Sequence, residues 1–241
     1  MRNTFLSAVF LLLLNPMVAM GFDATETQRI KELVMETLRE NPEILLELSG
    51  LIKEKHAQQR TATLKEAISL NAKSLFEDEN APVAGNVNGD VTMIEFFDYN
   101  CGYCKKSALE VQQLLDSDGK IKIIYREWPV LSEDSVFGAK AALAARKQGM
   151  YLEMHHALMA LPRVHQASTL AAAKTLGLDI ARLQKDMTAP EIEQHLRRSV
   201  TLAQGLGFTG TPSMIIGNDV ALGYLPLSAL QSRIQRARAA Q

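Results

Sequence analysis

Cysteine is nearly absent from this 241-residue chain: it has two, set as Cys101-Gly102-Tyr103-Cys104. No second CxxC pair or His-x-His group completes the roughly four ligands of a structural zinc site. Lys105 stands where a haem-attachment motif needs histidine. Structural stapling is a poor use of the pair, because a disulfide stabilises in proportion to the chain it closes and this loop is minimal. An excess of either charge is missing too: 26 basic residues face 27 acidic ones, for a formal net charge of −1, and no footprint for nucleic acid results. Past the N-terminus no run is long and uncharged enough for a membrane helix, so no membrane insertion is expected. From residue 25 to residue 76 there is one glycine, Gly50, and one proline, Pro42, so little interrupts a helix there.

Residues 1–21 carry Arg2, an apolar run from Phe5 to Leu14 and the small residues Ala19 and Gly21. That is the pattern of a secretory signal peptide, cleaved after Gly21 or at the neighbouring Ala19. An exported chain meets an oxidising compartment, and the bacterial periplasm is the expected location. A cysteine pair there that staples nothing is explained by redox chemistry, and no cofactor is needed for it.

Residues 22–80 read as helix. Ile30, Leu33, Val34, Leu38, Leu45, Leu48, Leu51 and Ile52 fall at helical spacing. Asn41-Pro42 interrupts the register, which predicts two helices with Pro42 starting the second. Lys53 to Arg60 is too polar to bury a face and reads as a solvated connector. The stripe either packs on its own chain or, held off by the connector, finds an identical chain, which makes this an oligomerisation arm giving a dimer or trimer.

Residues 81–241 form the second region. A turn-rich stretch to Gly89, with a short strand inside it, precedes the strand Val91 to Asp98. A helix opened by Cys101 runs to about Leu115, and a second strand covers Lys120 to Glu127. Strand, crossover helix and strand of this length make a parallel unit. Helices fill about 132–207, broken near Gly149, Pro162, Gly177 and Pro190. A strand through Thr211 to Ile216, a turn at Asn218-Asp219, a strand Val220 to Tyr224 and a helix from about Ser228 close the chain. The fold class is α/β: a thioredoxin-like fold with an inserted helical domain, preceded by the N-terminal helical arm.

A CxxC at a helix start sets Cys101 against unpaired N–H groups and the positive end of the helix dipole, which favour thiolate. Cys101 is the expected nucleophile, and Cys104, one turn on, the resolving thiol. Gly102 and Tyr103 add no positive charge, which predicts a moderated oxidant. Glu95 stands in the apolar strand Met93-Ile-Glu-Phe-Phe97, where a carboxylate must be exposed, paired or neutral. It reads either as a proton relay to Cys104 or as an outward-facing surface residue. Lys105 and Lys106 either add positive potential near the thiols or, as the commoner case, are solvated. Thr211-Pro212 opens a strand after Gly205 to Gly210, where a cis proline presents a backbone edge to an extended substrate and a trans proline does not. Met154, His155 and Met159 are soft donors suited to copper, although methionines at helical spacing also fill cores. His56, His165 and His195 stand alone and are expected to be structural or solvated.

With these elements in place, residues 80 to 241 resemble the bacterial DsbA-like family of periplasmic thiol-disulfide oxidoreductases. Glu95-Phe-Phe-Asp-Tyr-Asn-Cys-Gly-Tyr-Cys104, Arg126-Glu-Trp-Pro-Val-Leu131 and Gly210-Thr-Pro212 are most similar to its ScsC/Com1 branch. The resemblance implies Cys101 as nucleophile, a cis Thr211-Pro212 beside the disulfide, and Glu95 at the family's buried-acid position. It places Gly102, Tyr103, Thr211 and Pro212 at the substrate. The Gly-Tyr dipeptide departs from the Pro-His of the archetypal oxidase and matches the DsbC-type isomerases. An isomerase or reductase acting on proteins with cysteines or disulfides is therefore the leading expectation, with a dithiol oxidase or a copper-sequestering thiol protein as alternatives. The resemblance further implies a homo-oligomer built through Thr25 to Phe76 and a DsbD/ScsB-like membrane reductase as electron donor.

Overall fold

A computed structural model of the chain describes residues 23–240. The signal peptide expected over residues 1–21 lies outside the described residues. Two compact units divide at residue 57.

The described part of the first unit is helical. Helix α1 (Ala24–Glu40) starts at a reciprocal cap in which Asp23 accepts from the Glu26 N–H at 2.7 Å and Glu26 accepts from the Asp23 N–H at 3.1 Å. It stops at Asn41-Pro42, because the residue before a proline is pushed out of helical geometry. Helix α2 (Glu43–Leu70) follows and runs through the polar stretch without interruption. The apolar stripe is uncovered within this unit: Leu33, Leu45, Leu51 and Ile52 are all more than half exposed.

The second unit takes in residues 58–80 as well as the 81–241 expected for the thioredoxin-like domain, because the chain just past the connector supplies core. Leu64, Ala67 and Ile68 of α2 and Leu75 of α3 (Ala72–Phe76) join the apolar cluster on one face of a five-stranded sheet. The fully buried Arg126 pins the same stretch, bonding Asp78 at 2.7 Å and the Ser74 carbonyl.

The sheet comprises β1 (Val83–Gly85), β2 (Val91–Phe97), β3 (Ile121–Glu127), β4 (Ser213–Ile216) and β5 (Asp219–Leu222), in the order β1-β3-β2-β4-β5. β2 and β3 are parallel and the other pairs antiparallel. Helix α4 (Gly102–Ser117) makes the crossover between β2 and β3. The hairpin between β4 and β5 turns at Gly217-Asn218, one residue earlier than Asn218-Asp219, because Gly217 takes the positive φ of 58° that such a turn needs. Strand side chains alternate faces. Ile94, Phe96, Ile124 and Ile215 meet Leu202 of the helix α9 (Pro190–Gly205) and its capping residue Leu206 on one face, while Met93, Phe97, Ile123 and Met214 meet α4, the last helix α10 (Leu227–Ala239) and the insertion on the other.

The insertion holds α5 (Glu133–Ala145), a 3-10 turn at Arg146–Gln148, α6 (Tyr151–Ala160), α7 (Gln166–Thr175), α8 (Ile180–Asp186) and α9 (Pro190–Gly205). Alanines let α5 pack closely. At Gly138 an added Cβ would lie 2.8 Å from the Val164 side chain.

Candidate redox site

The site forms where β2 ends. Asp98, Tyr99 and Asn100 carry the chain from the sheet to Cys101, which is the N-cap of α4. Each of the three is held by its side chain. Asp98 is buried and accepts from the N–H groups of Asn100, Val130 and Leu131 at 2.7, 2.9 and 3.0 Å. The Tyr99 hydroxyl lies 3.1 Å from His155 Nδ1. Asn100 accepts from the Val164 N–H at 2.8 Å and donates to the Val164 carbonyl at 3.0 Å, so the insertion is bonded to the residue next to Cys101. Asp98 and Asn100 were not among the expected site residues, although oxygen acceptors just ahead of a helix start are a signal for such a role.

Cys101 and Cys104 are both free thiols, Cys101 half-buried and Cys104 with no exposed surface. Their acidities diverge. The hydrogen bond from Cys104 pulls the Cys101 thiol down to about 5 against the opposing effect of burial, with further help from Thr211 and from the Cys104 and Tyr103 N–H groups. As a thiol, Cys101 Sγ donates to the Thr211 carbonyl at 3.3 Å. A thiolate cannot donate, so the Thr211 hydroxyl is the group there that stabilises the charge. Burial, and then the hydrogen bond it gives to Cys101, push Cys104 far above the ordinary thiol range.

The thiolate stabilises the reduced protein. That stabilisation is complete above the ordinary thiol value of 9.0 and disappears as pH falls through about 5. Above that point the reduced site keeps one proton, on Cys104, and below it two. The midpoint potential is therefore expected to fall by about 59 mV per pH unit under acid conditions and about 30 mV above them, breaking near pH 5. A titration against glutathione buffers checks this, and a single slope across that range would rule out the lowered Cys101 pKa.

Glu95 lies mid-strand, opposite Tyr125 on one side and Met214 on the other. It is buried on the α4 face and accepts from the Ser107 hydroxyl at 2.8 Å, three residues past Cys104. Burial raises its carboxyl to about 7, partly offset by Ser107. The outward-facing alternative is thereby corrected: both faces of this sheet are covered, so alternation leaves no exposed position.

Thr211-Pro212 is cis, and Gly223 donates its N–H to the Pro212 carbonyl at 2.8 Å. Gly102 and Tyr103 are exposed. The Tyr103 ring lies 6.3 Å from that of Tyr224, whose hydroxyl donates to Glu110 at 2.6 Å. Lys105 is not solvated: its amine donates to the carbonyls of Leu158 and Leu161 at 3.4 and 2.6 Å, and burial lowers its pKa.

The soft donors of α6 lie in the interior. Met154, His155 and Met159 are buried, and His155, lowered to about 3 mainly by burial, is engaged by Tyr99. Among the described residues no group of three or more His, Cys, Asp or Glu is placed to hold a metal ion. His165 caps α7 by accepting from the Ser168 N–H, His195 is buried 2.8 Å from Glu127, and His56 is exposed.

A CxxC at the head of the crossover helix, a cis proline just ahead of β4 and a buried acid beneath define a thioredoxin-fold dithiol protein. The profile of the DSBA-like thioredoxin domain matches residues 92–235, and the chain belongs to that family. It is similar to a thioredoxin-like oxidoreductase from Silicibacter pomeroyi DSS-3, with 49% identity and a TM-score of 0.69 over 70% of this chain and 98% of that one. It is also similar to Proteus mirabilis ScsC in a compact conformation, with 25% identity and a TM-score of 0.68 over 88% of this chain and 98% of that one. A curated relative, the Na(+)/H(+) antiporter NhaA 3 of Salinispora tropica, is 27% identical over 158 residues, which cover 64% of this chain and 24% of that protein. The chain thus spans about a quarter of the length of that relative. No helix among the described residues is long and apolar enough to cross a membrane.

Proposed function

We propose that this chain is a periplasmic, homo-oligomeric thiol-disulfide oxidoreductase that reshuffles or reduces disulfides in client proteins. The observation that carries the reading is the split within the dithiol: an accessible Cys101 lowered to about 5 above a buried Cys104 raised beyond the ordinary range. The Cys101 thiolate attacks a client disulfide, one client sulfur bonds to Cys101 and the other leaves as a thiolate that takes a proton. A client thiolate that attacks the remaining mixed disulfide rearranges the client and returns the Cys101 thiolate with no net electron transfer. Where the client stalls, Glu95 accepts the Cys104 proton, Cys104 attacks Cys101 and the client departs reduced, with the two electrons supplied by the dithiol. A membrane reductase of the DsbD/ScsB kind restores the dithiol. The backbone edge at Thr211-Pro212 and the exposed Gly102-Tyr103 face the client.

The arm supports the oligomeric part. An uncovered stripe of leucines, isoleucine and valine on two helices is buried by a second or third copy, and the similarity to ScsC reaches beyond the 58–241 unit. Several sites around one client suit isomerisation better than oxidation. Light scattering is expected to give a dimer or trimer for the mature chain and a monomer for a chain starting at Gln58. The shortened chain should lose most of its activity on scrambled ribonuclease while still reducing a small disulfide. Unchanged isomerase activity in the monomer would reject the multi-site clamp.

A further inference from the structure

The exposed side of α4 carries a groove that the dithiol chemistry leaves unused. Positions 105, 108, 109 and 112 share one helical face, turned away from the face of Tyr103 and Glu110 that meets Tyr224. Between this face and the end of α6 lies a groove of about 510 Å³ walled by Leu109, Met159 and Leu161. Lys105, Lys106 and His156 line it as well, and among the described residues none that lines it is Asp or Glu. Leu109 is 67% exposed, a large apolar side chain with room for a partner. The floor is fixed, since the Lys105 amine is fastened to the Leu158 and Leu161 carbonyls. The rim is continuous with the redox motif: Lys106 Nζ sits 5.6 Å from the centre of the Tyr103 ring, the residue between the two cysteines.

We propose that this groove receives an apolar side chain of the client polypeptide, flanked by an acidic residue, a few residues from the cysteine that Cys101 attacks. The proposal rests on the reading of Cys101-Cys104 as an exchange site for protein disulfides. The apolar wall buries the anchor, Lys106 matches the acid, and the shared Lys106–Tyr103 rim brings both close to the reacting sulfur. The groove thus selects which disulfides in a client are attacked first, a preference that the backbone edge at Pro212, indifferent to side chains, does not supply.

The test uses the reduced mature protein and four synthetic peptides, each with one cysteine held as a mixed disulfide with glutathione. Three residues from the cysteine the peptides carry Leu-Asp, Leu-Lys, Ser-Asp or Ser-Lys, and oxidised glutathione is the reference. Burying one leucine side chain is worth about tenfold or more in rate, so Leu-Asp should outpace Ser-Lys by at least that factor relative to glutathione. Leu109→Asp should shrink the leucine preference to within about twofold, and Lys106→Glu should reverse the acid preference. A spread below about twofold among the four peptides, with oxidised glutathione reacting normally, overturns the groove while leaving the exchange reading intact. Failure with oxidised glutathione as well overturns both. Concentration-dependent self-association that Leu109→Asp abolishes would assign the groove to a second copy of the chain and reject a client there.

Discussion

Serine at position 101 is expected to abolish exchange with protein disulfides, and the buried partner thiol cannot compensate. A group with a pKa of about 5 is almost wholly thiolate at neutral pH, whereas one above 9.0 is ionised by about one part in a hundred or less. Ionisation alone therefore removes at least about two decades of rate, softened slightly because a more basic thiolate is the better nucleophile. Access removes the rest: Cys104 has no exposed surface, so a client sulfur cannot reach it in line. Cys104→Ser should behave differently. The first attack survives, resolution fails, and the protein accumulates as a client adduct on Cys101 that reductant releases. Stopped-flow rates with a peptide disulfide and non-reducing gels of the two variants measure the difference. Comparable residual activity in both would reject the division of labour between the cysteines.

The second large effect concerns stability. Glu95→Gln keeps an acceptor for the Ser107 hydroxyl but removes a group that resists ionisation. In the native chain Glu95 holds its proton up to about pH 7, while in the unfolded chain it loses it near 4.5. Because the folded value is raised, the group leaves stability intact below pH 4.5, lowers it progressively to about pH 7, and costs a constant amount above that. At 1.36 kcal/mol per pH unit the cost reaches about 3 kcal/mol. Denaturant titration should find Glu95→Gln more stable than the native chain by roughly that amount at pH 8 and by almost nothing at pH 4.5. An equal difference at both values would mean that packing, not charge, sets the effect. The same variant should slow resolution by Cys104, since glutamine cannot accept its proton, so stability and turnover move in opposite directions.

Much of the second unit could be read from the chain. Glycine and proline punctuate helices and strands that then differ from expectation by a residue or two, and the order of elements leaves few topologies open once the parallel unit is placed. The hairpin turn was displaced by one residue because Gly217, not Asp219, meets the backbone requirement. The cysteine pair was legible because two cysteines at that spacing serve few other purposes. Glu95 was ambiguous for a specific reason: alternation says which face a residue takes, but only the tertiary structure says that both faces are covered. The burial of Lys105 leaves no trace in the sequence because its amine is satisfied by carbonyls more than fifty residues away, a bond with no local signature. Ser107 shares that difficulty, since its partner Glu95 belongs to another element. The role of residues 64–75 as core was hidden by the polar stretch before them, which broke the periodic pattern where α2 itself does not break.

The pair of hydrogen bonds between Asn100 and Val164 constrains how such proteins diverge. An amide that pairs with one residue's N–H and carbonyl together mimics a strand neighbour, so the insertion is spliced into the loop that presents Cys101. It is not an interchangeable module set into a thioredoxin frame. A chimera that keeps residues 98–117 but takes its insertion from elsewhere loses the Val164 backbone that Asn100 grips. Substitutions around Val164, far from sulfur in sequence and inert themselves, are coupled to the cysteine's setting. Drift in the helical insertion is therefore a route by which the reactivity of an unchanged Cys-Gly-Tyr-Cys can evolve.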